Sequence, residues 1–260
     1  MSIRIAVIGA SGRMGREILA LLGGDPRFVL QQAVVSSVSA RNTGTEQGAV
    51  PPTTLADGLH PDVQGVIDFS VPKSSLIVTA HCAERGIPLL IGTTGFSAEE
   101  MSTLTAHAKR APILIAANTS LGVAALTQLV ERARTMLGDD FDVEISETHH
   151  RQKRDAPSGT ALALAEAVKR VATDERCVSN RHGPRSAGEI GVSSLRGGTI
   201  FGEHTVHFFG NGETISLTHR ADNRTIFARG ALDLMARLYG KGPGLYAVRD
   251  LYGFGGGSFE

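Results

Sequence analysis

Tryptophan is absent from this chain, aromatic residues make up only 5% of it, and cysteine occurs twice. The two thiols, Cys82 and Cys177, belong to no paired motif, which excludes a disulfide framework and a Cys-based zinc site and fits a reducing compartment. A charge surplus of either sign is also missing. Lys plus Arg and Asp plus Glu number 26 each, so no global field draws the protein to nucleic acid or to an anionic membrane, and any anion site must be local. Long apolar runs are lacking too. The N-terminal run ends at Ile8 in a glycine loop, too short for a signal-peptide core, and nothing elsewhere approaches the roughly 20 residues of a membrane span. The expectation is a cytoplasmic protein with neither a nucleic-acid nor a membrane partner. At 260 residues it can form one large domain or two small ones, and no metal is demanded.

What is abundant is glycine, 31 residues scattered along the chain, together with a regular alternation of apolar runs. Residues 3–8 read as a β-branched strand, GASGRMG as a loop, and REILALLGG as a helix with Ile18, Leu19, Leu21 and Leu22 at helical spacing. FVLQQAVVSS, GVIDFSVP, PLLIGTTGF and PILIAANTS read as further strands, the second ended by Pro72. SSLIVTAHCAERG and SAEEMSTLTAHAKRA read as helices between them, and Ser97 with Glu100 forms a capping-box signature. Strands alternating with helices imply parallel βαβ units and a Rossmann-like doubly wound sheet, with ligands at the carboxyl ends of its strands. Past Ser120 the texture changes to a long amphipathic helix, the alternating strand FDVEISE, another helix, and strand-like sequence over 190–217 with a hairpin signal at Asn211-Gly212. Strands joined by hairpins do not belong in a parallel sheet. The expected class is therefore α/β with a second α+β domain whose sheet is largely antiparallel. The dinucleotide-binding domain is expected at 1–120 and 224–260, and a substrate-binding and oligomerisation domain at 121–223.

Gly9, Gly12 and Gly15 are spaced G-x-x-G-x-x-G, a variant of the dinucleotide fingerprint. Gly9 allows the sharp exit from the strand, Gly12 lets backbone approach a pyrophosphate, and Gly15 lets the helix pack close to the sheet. A glycine-rich turn without ligand has the same composition; the strand before and the helix after favour the nucleotide. The fingerprint's usual acid near the end of the second strand is missing, and Ser36 and Ser37 stand there with Arg41 beyond. Serine tolerates a 2′-phosphate better than a carboxylate does, and Arg13 and Arg41 are candidate partners for it. NADPH is slightly favoured over NADH, with solvated arginines as the alternative.

Residues 147–161, ETHHRQKRDAPSGTA, place two histidines and several cations before a helix start. Adjacent histidines cannot share a helix face, and His149-His150 is taken to lack a nearby Glu or Cys at ligand spacing, which argues against a metal. On an extended segment the two rings point to opposite sides, so one can face a cleft. Arg151 and Lys153 supply fixed positive charge that lowers histidine basicity and holds a carboxylate. Ser158 or Thr160 caps the following helix, Gly159 leaves room for close approach, and the helix terminus itself favours an anion. An exposed basic loop capping a helix is the plainer reading. A titratable acid, fixed cations and an anion-binding terminus within one short stretch favour a site. His204 and His207 read as interface or core residues rather than catalytic ones, and Arg181, Arg185 and Arg196 as solvated cations, with reach to the substrate as the alternative.

These segments, with DFSVP at 68–72, GTTGF at 92–96, AANTSLGV at 116–123 and RGGTIFGEHTV at 196–206, resemble the dihydrodipicolinate reductase (4-hydroxy-tetrahydrodipicolinate reductase) family, in the family's order along nearly the whole chain. The resemblance implies an NAD(P)H-dependent reduction of a small cyclic dicarboxylate on the diaminopimelate route to lysine, by a homotetramer. It implies that His149 is the general acid, with Lys153 as second donor or electrostatic aid, and that His150, Gly159 and Thr160 hold the substrate carboxylates. It also implies that Gly9, Ala10, Ser11, Gly12, Arg13 and Met14 hold the cofactor phosphates. By the same resemblance, Gly92, Thr93 and Thr94 with Ala116, Ala117, Asn118 and Thr119 contact the nicotinamide end. Closure of the two domains would bring the halves of the site together. Two positions depart from the family pattern: Ser36 where an acid is common, and Thr119 where some members carry an aromatic. Competing readings are another nicotinamide-dependent dehydrogenase, which has no need of HHRQKRDAPSGT, and a nucleotide sensor, which has no need of a proton donor.

Overall fold

The computed structural model describes residues 2–36, 51–172 and 175–254; Ser37 and Arg41 lie outside them. The chain divides into two compact units, residues 1–120 with 225–260, and residues 121–224.

In the first unit β1 (Ile3–Ile8), β2 (Phe28–Val34), β3 (Pro52–Thr53), β4 (Gly65–Asp68), β5 (Leu89–Ile91), β6 (Pro112–Ile115) and β12 (Gly244–Tyr246) form a seven-stranded sheet in the order β12-β6-β5-β4-β1-β2-β3. Every pairing is parallel. Alternate residues of these strands enter two separate cores. Ile5, Val7, Ile67, Leu90 and Leu114 face one side with Ile18 of α1 (Arg13–Leu22) and with Leu232 and Met235 of α6 (Thr225–Leu238). Ala6, Ile8, Val66, Leu89 and Ile113 face the other with Val78 and Cys82 of α2 (Pro72–Arg85) and Leu104 of α3 (Ala98–His107). Period-two burial on both faces is what makes these strands read as continuous apolar runs. Pro72 does not simply end a strand: it occupies the first turn of α2, where a missing N–H costs nothing. The Ser97–Glu100 capping box is present in full, with Ser97 N to Glu100 Oε2 at 2.7 Å and Glu100 N to Ser97 Oγ at 3.1 Å. The two-residue β3 and three-residue β12 are edge strands too short to leave a periodic signal.

The second unit is built on a five-stranded sheet ordered β11-β10-β7-β9-β8, comprising β7 (Asp142–His149), β8 (Arg176–Ser179), β9 (Glu189–Arg196), β10 (Gly202–Phe209) and β11 (Thr214–Ala221). The β10–β11 hairpin turns at Gly212, whose φ of 90° suits glycine. The sheet is mixed. β10 is antiparallel to both its neighbours, whereas β7 and β8 run parallel to β9, because the crossover through α5 (Gly159–Lys169) carries the chain back before β9 forms. With α4 (Leu121–Leu137) and α5 the sheet encloses a core around Val143, Ile145, Leu164, Val192 and Phe208. The central strand is β7, so its inward residues are flanked on both sides, which decides the chemistry at its end. No helix of the described residues is long and apolar enough to cross a membrane.

Candidate active site

At the carboxyl end of β1 the sheet order switches direction, since β2 lies on one side and β4 on the other. A crevice at such a point is where open α/β sheets bind ligands. Here a cavity of about 500 Å³ is lined by Gly9, Ser11, Gly12, Val35, Ser36, Phe69 and Ser70, among others. Gly9 has φ 78°, and a Cβ there would stand 2.3 Å from the carbonyl oxygen of Phe69. A Cβ on Gly15 would stand 2.3 Å from the carbonyl oxygen of Gly9. Backbone packed this closely leaves no choice but glycine. Gly12 caps α1 without a side-chain hydrogen bond, and no acid occupies the first turn, so the helix start presents its N–H groups to an anion. The cradle therefore fits a dinucleotide pyrophosphate. Of the other residues expected there, Ala10 is buried in the core, Met14 packs partly against that core, and Arg13 is exposed at the helix start.

The expected nicotinamide-end residues divide by burial. Thr94 and Ala117 are exposed, Ala116 is buried and Asn118 accepts the Ser120 N–H at 2.9 Å. Gly92 lies against the Phe69 ring, and a Cβ there would fall 2.1 Å from it unless the ring moved. Thr93 is buried and its hydroxyl accepts from Ser70 N at 3.0 Å. Thr119 is buried, and its hydroxyl donates to the Phe227 carbonyl at 2.6 Å, tying this loop to α6. Beneath this loop lies Asp68, fully buried, with the Ser70 and Ser75 hydroxyls each donating at 2.5 Å. Burial pushes its carboxyl up against the pull of those bonds.

The second unit gathers its polar groups at the end of β7. His149 is 8% exposed, and its Nδ1 lies 2.5 Å from Oε2 of the fully buried Glu147. Cross-strand register builds the rest: β10 sets His204 opposite Glu147, and β9 sets Arg196 opposite His149. Arg196 grips Glu147 with both terminal nitrogens, at 2.8 and 2.7 Å, and donates to the Asp155 carbonyl at 2.6 Å. Ser158 N donates to Glu147 Oε1 at 3.1 Å, while Ser158 Oγ caps α5 by accepting from Ala161 N at 3.1 Å and lies 3.0 Å from His204 Nε2. Gly159 has open space where a Cβ would stand, so the start of α5 is approachable. Lys153 pairs with Asp155 at 2.9 Å. His150 keeps a buried Nδ1 without a hydrogen-bond partner.

Charge in this cluster is set by burial and pairing. Burial works to raise Glu147, but the Arg196 fork and His149 outweigh it and hold the carboxyl down at about 2. His149 is lowered, first by burial, with Glu147 pulling the other way and Lys153 and Arg196 adding to the fall. Arg151 is exposed. His204 is pushed down to about 4 by burial and by its neighbour His149, whose ring centroid is 5.0 Å away.

Three sequence expectations change. A carboxylate does lie beside His149: strand parity puts Glu147 on the same face two residues earlier, and with His204 it forms a buried trio whose ligand atoms lie within 4.8 Å of one another. Arg196 is not a solvated cation but the partner of that carboxylate. Arg181 and Arg185 are likewise paired, bridging Glu144 to Glu189 and to Asp142 respectively. The alternation in ETHH and GEHTVHFF carried the signal for Glu147 and His204; nothing local marked Arg196.

A glycine cradle at a sheet switch point, together with a buried histidine beside an open helix start, matches the plan of a nicotinamide-nucleotide-dependent oxidoreductase. Family models described as "Dihydrodipicolinate reductase, N-terminus" and "Dihydrodipicolinate reductase, C-terminus" match residues 3–119 and 122–252. The chain belongs to the dihydrodipicolinate reductase family. It is 41% identical to the 4-hydroxy-tetrahydrodipicolinate reductase of Thiobacillus denitrificans, over 97% of this chain and 99% of that one. To the same enzyme of Rhodopseudomonas palustris it is 42% identical, over 96% and 97%. The solved structure of a dipicolinate-bound dihydrodipicolinate reductase from Paenisporosarcina sp. TG-14 superposes with a TM-score of 0.79 at 25% identity, covering 95% of this chain and 98% of that one.

Proposed function

We infer that this chain reduces 4-hydroxy-tetrahydrodipicolinate, by way of dihydrodipicolinate, to tetrahydrodipicolinate with NAD(P)H, on the diaminopimelate route to lysine. The observation that carries the reading is the match of both family halves to a chain whose own residues set a proton donor and a carboxylate-binding helix start around one buried glutamate. Gly9 to Met14 would hold the nucleotide phosphates, and Gly92 to Thr94 with Ala116 to Thr119 the nicotinamide end, which supplies the hydride when bound. Ser36 lines the cradle without a charge to repel a 2′-phosphate, which favours NADPH modestly over NADH.

The protein's own part is orientation and proton delivery. The N–H groups of Gly159 and Thr160 at the start of α5, with His150, hold the substrate carboxylates. Once a ring carbon has accepted hydride, the resulting enamine needs a proton, and His149 gives it. Lys153 either serves as a second proton donor or keeps positive charge beside the developing anion. Because burial lowers His149, its acid form is confined to the lower part of the working pH range, and turnover falls as pH rises through its pKa. The working form is a cytoplasmic homotetramer. Leu195 and Phe209, 60% and 42% exposed on the outward face of the second sheet, support subunit contact there.

Initial rates of NADPH and NADH oxidation with freshly generated hydroxy-tetrahydrodipicolinate test the assignment. Turnover with either nucleotide is expected, faster with NADPH at limiting concentration. Tight nucleotide binding without turnover would move a nucleotide sensor or another dehydrogenase to the front.

A further inference from the structure

Glu147 has no part in the proton transfer just described, yet it is the most completely engaged carboxylate at the site. Its two oxygens take the two Arg196 nitrogens at 2.8 and 2.7 Å, Ser158 N at 3.1 Å and His149 Nδ1 at 2.5 Å. An ionised carboxylate offers about four lone-pair positions, and here all are taken by donors. Two consequences follow. A metal at the Glu147–His149–His204 trio would have to displace a bidentate guanidinium, so the trio is not a metal site. And since an ionised carboxylate can only accept, the hydrogen between it and His149 belongs to Nδ1. The proton that comes and goes is then on Nε2.

The other edge of the ring is kept open by a different strand. Gly202 begins β10 beside it, and a Cβ at that position would stand 2.9 Å from Nε2 and 3.3 Å from Cδ2 of His149. Any side chain there would crowd the titrating nitrogen. We propose that Glu147, clamped by Arg196, is a positioning residue for proton transfer: it fixes His149 with Nδ1 protonated so that Nε2 delivers the proton, while Gly202 reserves the space at Nε2. The proposal rests on His149 being the donor. By also holding Ser158 N, Glu147 fixes the donor and the start of α5 to one anchor, so that proton and carboxylate sites keep a constant separation.

A merely structural ion pair would look similar in coordinates, but it would not govern where the proton sits. The charged and titratable groups facing His149 are Glu147 on its own strand, Lys153 from the following turn, Arg196 from β9 and His204 from β10. Only Glu147 among them favours the imidazolium, so neutralising it shifts proton release from Nε2 to lower pH.

The test compares Glu147→Gln, Gly202→Ala and His149→Gln with the unaltered enzyme, measuring kcat and KM from about pH 5.5 to about 9, with nitrogen-15 NMR titration of His149. In folded Glu147→Gln we expect kcat about 100-fold lower, within the usual range for loss of acid catalysis, and an alkaline limb moved down by about one pH unit. Gly202→Ala removes no charge and decides the matter if Glu147→Gln does not fold. It should lower kcat about tenfold or more while His149 keeps hydrogen on Nδ1. An unmoved alkaline limb with an unchanged tautomer in Glu147→Gln, or full kcat in Gly202→Ala, would overturn the proposal. Full turnover in His149→Gln would instead remove the reading on which it rests.

Discussion

The two units build their candidate sites from opposite materials. In the first unit the nucleotide cradle is made of what is missing: Gly9 and Gly15 have no Cβ, and so backbone can lie where any side chain would collide at 2.3 Å. In the second unit the cluster is made of side chains, each held by another: His149 by Glu147, Glu147 by Arg196, His204 by Ser158. An anion cradle needs only N–H groups and room, and the main chain supplies both. A proton donor needs a chosen nitrogen and a tuned basicity, which take charged neighbours in a dry setting. Damage to the cradle's backbone should therefore appear as lost structure, and damage to the second cluster as altered protonation.

The largest expected effect is at the cradle. Gly15→Val forces a branched side chain against the carbonyl of Gly9 and the Cα of Ala10, which are backbone and cannot swing aside. A stability loss of about 3 kcal/mol or more is expected, read by thermal denaturation. Retention of the native melting temperature would show that the loop yields and that the contrast is false. A smaller effect, one of pH, belongs to the second region. Buried His204 takes up a proton only near pH 4, whereas in the unfolded chain it does so near 6.5. The unfolded state thus binds more protons between those values, and stability falls as pH drops from about 6.5 to about 4, by on the order of 2–3 kcal/mol. His204→Gln should flatten that part of the stability curve, and an equally steep curve in the variant would place the acid sensitivity elsewhere. The smallest effect returns to the cradle without touching its backbone. Ser36→Asp should move the NADPH to NADH ratio of kcat/KM toward NADH by about tenfold, some 1.4 kcal/mol, through repulsion of a 2′-phosphate. An unchanged ratio would mean that Ser36 does not face the ribose.

How far the sequence could be read follows from the same contrast. Glycine spacing after a strand, and the period-two burial of β1, β4, β5 and β6, are local in the chain, so the doubly wound sheet and its loop were legible before any coordinates. So was the 147–161 stretch, and through its family resemblance the reaction. Glu147 was legible in principle, because strand parity sets it on the His149 face. Alternation likewise put His204 on the inward face of its strand, but its place opposite Glu147, and the whole of Arg196's role, came only with the register of β10 and β9 on either side of β7, and register is a property of the folded sheet. The bond that holds Thr119 was hidden for a related reason: its partner, the Phe227 carbonyl, lies 108 residues further on.

The central claim is a division of labour, nucleotide binding from one unit and proton delivery by His149 from the other. It is tested most directly by measuring NADPH affinity and kcat in His149→Gln side by side. The account predicts a dissociation constant within about twofold of the unaltered enzyme and a kcat lower by about 100-fold or more. Full turnover in the variant would contradict it and send the search for the proton donor to Lys153 or beyond.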